Sequence, residues 1–334
     1  MKAYIESIAY VLPEQIRETT DERLRQKTGI ERRHICAADE TASDMAVYAA
    51  EHLLSGISRE SIDYLLFCTQ SPDYPLPTTA CILQDRLGLS RCCGALDYNH
   101  GCTGYIYGLG LAKGLIESRQ AKNILLLTAE TYSKYIHPED HAVLPLFGDA
   151  ATATLLTARD DMTSDGIYGL EYGTDGSGFQ QLIVPVGGMR HRYQETKTET
   201  ITDKYGNTRT NKNLFMDGGA IMDFALDVVP EALESMLAHA NLTRQDMDYF
   251  VFHQANQFML KSLQRLCKLS KMPYWNDVKN YGNTVSNSIP IALVDLMKET
   301  APSTLRRVLL MGFGVGLSWG GCIVNLSHCK ANQS

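Results

Sequence analysis

Residues 58–69, SRESIDYLLFCT, and residues 243–254, TRQDMDYFVFHQ, align without a gap. Each passes from a polar turn through Asp-Tyr into an apolar run, the pattern of a loop feeding a strand buried on both faces. A second pair follows at nearly the same offset, KNILLLTAE from Lys122 and RRVLLMGFG from Arg306. After each comes a glycine-bearing apolar strand, FGDAATATLL (147–156) and GLSWGGCIVNL (316–326). Apolar strands alternating with helical stretches predict an α/β protein. The shared S/T-R-x-x-x-D-Y-x-x-F pattern predicts a duplicated chain, with halves 1–160 and 161–334 meeting near ARDDMTSDG (158–166).

One segment breaks the symmetry. RHRYQETKTETITDKYGNTRTNKN (190–213) is polar, threonine-rich and nearly free of aliphatic residues, and reads as a long surface excursion or an extended hairpin. Elsewhere the 334 residues are 44% hydrophobic and 21% charged, an ordinary globular composition with enough length for a large core. A net charge of -7 argues against nucleic acid as the main partner. The start, MKAYIESIAYVLPEQIRETT, lacks the apolar run of a signal peptide, and no window offers the 18 or so apolar residues of a membrane span. The nine cysteines form no CxxC pair, so neither a zinc site nor a disulfide framework is expected, and a reducing, cytoplasmic setting follows.

Among those cysteines Cys102 stands out. It lies in DYNHGCTGYIYGLGLAKGLI (97–116), after a strand-like run and before a helix-like one. A thiol there meets the positive end of the helix dipole and its unpaired N–H groups, which lower its pKa toward a reactive thiolate. Gly101 and Gly104 leave room beside the sulfur. The residues alone leave open the alternative of an inert packing cysteine, the role assigned to Cys68, Cys81 and Cys322. In the second half the corresponding helix opens near GNTVSNSIPIALVDLM (282–297), and His253 follows the strand DYFVF at the edge where α/β sheets bind ligands. His253 can serve as acid, base or oxyanion donor and Asn283 as an amide donor, although a histidine so placed is often structural.

At these residues the chain resembles the thiolase superfamily, and most of all β-ketoacyl-acyl-carrier-protein synthase III. TGIERRHICAADETASDMA, GCTGYIYGL, LFGDAATA, HQAN, YGNTVSNSIPIAL and GFGVGLSWGG occur in family order along nearly the whole chain. The resemblance implies a thiolase-like fold, two pseudo-symmetric α/β halves in a layered αβαβα sandwich, acting as a homodimer. It also implies a Cys-His-Asn condensing enzyme. Cys102 takes an acyl group from a thioester, usually acyl-CoA. His253 and Asn283 hold a malonyl thioester on acyl carrier protein as carbon dioxide leaves, and the carbanion attacks acyl-Cys102. Backbone N–H groups of Cys102 and Val315 hold the acyl oxyanion; no bound cofactor or metal is expected.

Leu76, Phe147 and Phe313 fall at acyl-pocket positions. Leu76 stands where phenylalanine is frequent, which implies a primer larger than acetyl. The tryptophan that stacks on CoA ahead of TGI in initiating members is absent from DERLRQK, where Arg23, Arg25 and Lys27 are candidate phosphate contacts. The arginine that follows HQAN and docks the carrier is Phe258 here; Asn256, Lys261 and Arg265 are candidates for carrier or CoA binding. Two other functions remain open on this fold. One is acyl transfer to a hydroxyl or amine without decarboxylation, which an acidic residue in place of Asn283 would favour. The other is a non-catalytic partner subunit, against which the intact trio argues. Chalcone-synthase-like enzymes share the trio, but HQAN and GNT fit synthase III better.

Overall fold

In the computed structural model, which describes residues 1–160 and 166–332, the apolar runs become strands of two stacked sheets. The first sheet contains β1 (Lys2–Val11), β2 (Tyr64–Cys68), β3 (Gly94–Tyr98), β4 (Asn123–Glu130) and β5 (Ala150–Arg159). The second contains β6 (Ile167–Thr174), β7 (Tyr249–Phe252), β8 (Tyr274–Trp275), β9 (Val308–Gly314) and β10 (Ser318–Val324). A last strand, β11 (Lys330–Asn332), lies parallel to β1 at the first sheet's edge. The orders are β11-β1-β5-β4-β2-β3 and β6-β10-β9-β7-β8. With β11 set aside they correspond strand for strand, and so do the parallel and antiparallel pairings.

The Asp-Tyr signature has a mechanical role in both sheets. Asp63 Oδ2 accepts the backbone N–H groups of Lys122 and Asn123 at 2.7 and 2.9 Å. Asp248 Oδ2 accepts those of Arg306 and Arg307, both at 2.8 Å. Each aspartate thus ties the entry of one parallel strand to the entry of the next, with charge-assisted bonds that fix the register. The junction expected after residue 160 falls on residues outside the described ones.

The helices in chain order are α1 (Glu22–Thr28), α2 (Ala42–Leu53), α3 (Thr79–Arg86), α4 (Gly104–Glu117), α5 (Gly218–His239), α6 (Gln257–Leu266), α7 (Val278–Tyr281) and α8 (Ser288–Glu299). Strand side chains alternate between two buried surfaces, so the central strands β2, β7 and β9 are apolar throughout. In β2, Leu65 and Phe67 pack outward with α2 and α3, while Leu66 packs inward with α4 and α8 between the sheets. In β7, Val251 packs inward, and Phe250 and Phe252 face α5 and α6. The result is the helix–sheet–helix–sheet–helix order expected from the resemblance. α2 shows why a helix starts where it does: Thr41 and Asp44 form a capping box, and Ala42, Met45, Ala46, Ala49 and Leu53 make a close-packing inner face.

The polar excursion includes an antiparallel hairpin, Thr200–Thr202 against Thr208–Thr210. Its turn is held by Asp203 Oδ1, which accepts from the N–H groups of Tyr205 and Asn207. The ribbon is tied to the body where Thr208 donates to the Glu139 carbonyl at 3.1 Å and Leu214 to that of Tyr135 at 2.9 Å. Among the described residues, no helix is long and apolar enough to cross a membrane.

Candidate active site

Cys102 occupies the turn between β3 and α4, one residue ahead of the helix N-cap Thr103. Glycine is needed around it because other atoms crowd in. A Cβ at Gly101 would lie 2.3 Å from Val315 Cγ1, and one at Gly104 would lie 2.3 Å from Cys68 Sγ. Gly314, at the end of β9, has φ +155°, and a Cβ there would lie 3.0 Å from Cys102 Sγ. Such backbone is open to glycine and little else. The backbone N–H groups of Val315 and of Cys102 itself lie where they favour the ionised sulfur.

The expectation of a lowered thiol pKa is not met. Cys102 is 5% exposed, and burial pushes its thiol up to about 12, with the charge of Glu130 adding and the two N–H groups opposing. Desolvation of an ionised sulfur outweighs the helix end. Glu130, at the end of β4, is itself wholly buried and is pushed by that burial to about 8. Both of its oxygens accept the Gln70 N–H at 3.1 Å, and Ser71 Oγ donates to one at 3.2 Å. At neutral pH Glu130 is therefore mainly a carboxylic acid, which leaves burial as the chief reason that the resting nucleophile is a thiol.

His253 follows β7 directly and is fixed at both ends. Its N–H donates to the Met311 carbonyl at 2.7 Å, and its ring stands edge-on to Phe313 at 5.5 Å. Nδ1 lies 2.7 Å from Ser288 Oγ at the start of α8. Ser288 Oγ accepts the Gln254 N–H at 3.3 Å, so its own proton is available to Nδ1. When Ser288 Oγ donates to Nδ1, the ring proton sits on Nε2. With 1% exposure, burial holds the imidazole down to about 3, so it is neutral near pH 7.

Asn283 is held by backbone on both sides. Its N–H donates to the Leu146 carbonyl at 2.8 Å, and its carbonyl accepts the Gly148 N–H at 3.0 Å. Its Oδ1 accepts the Val285 N–H at 2.9 Å, which orients the amide so that both Nδ2 protons remain available. Gly282 before it has φ +65°, and a Cβ there would meet the Leu146 carbonyl oxygen at 2.6 Å. Cys102, Phe147, Val285 and Phe313 share one packed cluster, and His253 touches it through Phe313. The two halves thus bring the three sequence candidates to one place. Beside them opens a cavity of about 480 Å³ whose wall includes Val315, Gln70, Tyr132, Leu182 and Leu214.

The remaining candidates divide. Phe147 and Phe313 are buried in the Cys102 cluster, and neither lines the cavity. Leu76 is 79% exposed and does not line the cavity of its own chain. It sits between Pro75 and Pro77 on the loop from β2 to α3. Cys81 is exposed, not buried, whereas Cys68 and Cys322 are fully buried. Arg23, Arg25 and Lys27 lie on α1, and Lys261 and Arg265 on α6; the two short helices touch, with Gly29 against Gln257. Arg25 is paired with Glu22, and Asn256 uses Oδ1 to cap α6 at the Met259 N–H. Sequence reasoning missed Glu130, Ser288 and Gln70. Glu130 carried a signal: a carboxylate closing an otherwise apolar strand must be buried or partnered.

Comparison with known proteins agrees with this arrangement. Residues 96–176 match the family 3-oxoacyl-[acyl-carrier-protein] synthase III, and residues 237–326 match its C-terminal region. A β-ketoacyl-[acyl-carrier-protein] synthase III of Clostridium perfringens is 36% identical over 311 residues, 92% of each chain. A crystal structure of a 3-oxoacyl-(acyl-carrier-protein) synthase III superposes with a TM-score of 0.93 at 43% identity, covering 97% of this chain and 100% of that one. A 3-oxoacyl-(acyl-carrier protein) synthase from Burkholderia xenovorans gives 0.90 at 33% identity, covering 100% and 97%. The chain belongs to the β-ketoacyl-acyl-carrier-protein synthase III family of the thiolase superfamily.

Proposed function

We propose that this member of the family is a decarboxylating condensing enzyme in which Cys102 carries the acyl group and His253 and Asn283 serve the malonyl thioester. The observation that carries the reading is the set of donors around the sulfur. The backbone N–H groups of Cys102 and Val315 favour negative charge at Sγ, while a neutral His253 and the free Nδ2 of Asn283 flank the same cluster. In the first step Cys102 sulfur bonds to the carbonyl carbon of an acyl thioester, acyl-CoA in the simplest case. The two N–H groups hold the tetrahedral oxyanion, and the thiol proton leaves with the departing CoA thiolate. Because the resting thiol is protonated, its proton departs only as the thioester binds.

In the second step a malonyl group on acyl carrier protein enters. Its thioester oxygen accepts from His253 Nε2–H and Asn283 Nδ2–H, so the C–C bond to the carboxylate breaks and carbon dioxide leaves an enolate. The enolate carbon bonds to the acyl carbon, and Cys102 departs as thiolate. Neutral donors suit this step, since charge develops on the oxygen only in the transition state. The basic residues of α1 and α6 offer a landing surface for the phosphates of CoA or for the acidic carrier. A homodimer in the cytoplasm completes the reading: β3 is an unpaired sheet edge with Leu96 in solvent, and α4 leaves Leu111 exposed.

Purified protein with acyl-CoA and malonyl-carrier protein tests the reading. Mass added to Cys102, followed by carbon dioxide and a 3-oxoacyl product, is the expected result. Ester or amide formation on an added alcohol or amine without carbon dioxide would replace condensation with simple transfer. No adduct with any thioester would leave a binding subunit. Sedimentation analysis reads the dimer.

A further inference from the structure

The cavity beside Cys102 is two-sided. Leu182 and Leu214 belong to its aliphatic wall. The other wall carries Gln70, Asn99, Tyr132 and Tyr135, and Gln70 is the hub that joins them. Its carbonyl accepts the Tyr135 phenol at 2.7 Å, its Oε1 accepts the Tyr132 phenol, and its Nε2 donates to Asn99 Oδ1 at 2.8 Å. Its backbone N–H is committed to Glu130. Gln70 is thus tied at its carbonyl, its Oε1, its Nε2 and its N–H. A Cβ on Gly101 would lie 2.7 Å from Gln70 Oε1, which puts this side chain next to the residue before the nucleophile.

Counting donors shows what the wall offers. The amide of Gln70 has two N–H bonds and one is committed to Asn99; both phenol oxygens donate and keep lone pairs. Nothing charged lines the cavity: among its residues there is no lysine, arginine, histidine, aspartate or glutamate. Burying a carboxylate there would leave it without a countercharge, whereas a neutral oxygen finds a donor. A volume of about 480 Å³ also exceeds what a two-carbon acyl group fills.

Resting on the assignment of Cys102 as the acyl carrier, we propose that the primer is a neutral oxygenated acyl group, bearing a hydroxyl or oxo function that hydrogen-bonds to Gln70, and that Gln70 is the specificity-determining residue. A site built to pair with an oxygen rejects the analogue that lacks it more strongly than it rejects a change in length.

Loading of Cys102, followed by intact mass, tests this with CoA thioesters matched in length: butanoyl, 3-hydroxybutanoyl, 3-oxobutanoyl and succinyl, then octanoyl against 3-hydroxyoctanoyl and 3-oxooctanoyl. The expected result is at least 10-fold faster loading of a hydroxy or oxo form than of its plain partner. Gln70→Leu should bring that ratio close to one, and Tyr132→Phe should lower it less. Plain acyl groups loading as fast as their oxygenated partners in the unaltered enzyme overturn the proposal while leaving the condensing reading intact. Succinyl loading fastest also overturns it. Failure of every thioester to load removes both together.

Discussion

The same aspartate clamp opens both halves, yet the strands it aligns end on different chemistry. β2 ends on Cys68, fully buried with its Sγ donating to the His100 carbonyl at 3.1 Å. Its counterpart β7 runs into His253, held by Ser288. β4 ends on the buried acid Glu130, while β9 ends on Gly314, whose missing side chain makes room for Cys102. The α4 end supplies a sulfur and the α8 end an amide. The frame is therefore repeated where hydrogen bonds set register, and its strands carry different chemistry at their carboxyl ends, where α/β sheets hold their ligands. In the proposed reaction one half forms the covalent bond and the other manages the charge that develops on oxygen.

That division can be broken most severely at Cys102. Cys102→Ala should abolish mass gain from acyl-CoA and cut condensation by at least about 10⁴-fold, the scale on which removal of a nucleophile acts. Asn283→Ala should leave loading of Cys102 measurable and slow carbon dioxide release from malonyl-carrier protein by about 10²- to 10³-fold, as the loss of one oxyanion donor does. Equal effects on both steps would mean that the halves do not split the reaction.

The repeated clamp gives a sharper comparison. Asp63→Ala and Asp248→Ala each remove a carboxylate that accepts two backbone N–H groups. Each should cost about 2 kcal/mol, read as a fall in urea midpoint, and the two falls should match. A large disparity would deny them equivalent roles.

Glu130 and Gly314 end corresponding strands, and only Glu130 can titrate. Its carboxyl is raised from 4.5 to about 8, so between those values the folded chain keeps a proton that the unfolded chain has released. Its stabilising contribution is complete below about 4.5, declines as pH rises, and is gone above about 8. Glu130→Gln should remove up to about 1.4 kcal/mol of stability loss per pH unit across that window. Urea unfolding at pH 5, 6.5 and 8 measures it. The smallest expected effect is at His253. With its imidazole held at about 3, its ring resonances should stay flat from pH 5 to 8 in a nuclear magnetic resonance titration, and an acid limb near 6.5 in the rate would come from another group.

The frame was legible because it is written in repeated local chemistry. Apolar runs with Asp-Tyr at their start told of paired parallel strands, and the glycines around Cys102 told of crowding. The trio was legible from the repeat and from the motifs HQAN and GNT. The protonation of Cys102 was not, because desolvation depends on what covers the sulfur, and Gly314 and Val315 arrive from more than 200 residues away. Leu76 shows a related limit: a position in a motif does not say whether its loop turns toward the cavity of the same chain. Gln70 was invisible because an amide in a polar loop acquires meaning only when Tyr132, Tyr135 and Asn99 close around it.

The hairpin ribbon is stitched into the cavity wall at both of its roots. Val186, Gly187 and Gly188 lead into it and Leu214 leads out, and all four line the space beside Cys102. Insertion, deletion or exchange within the ribbon is therefore expected to reshape that space without touching Cys102, His253 or Asn283. The ribbon is thus a wall-shaping element set apart in sequence from Cys102, His253 and Asn283.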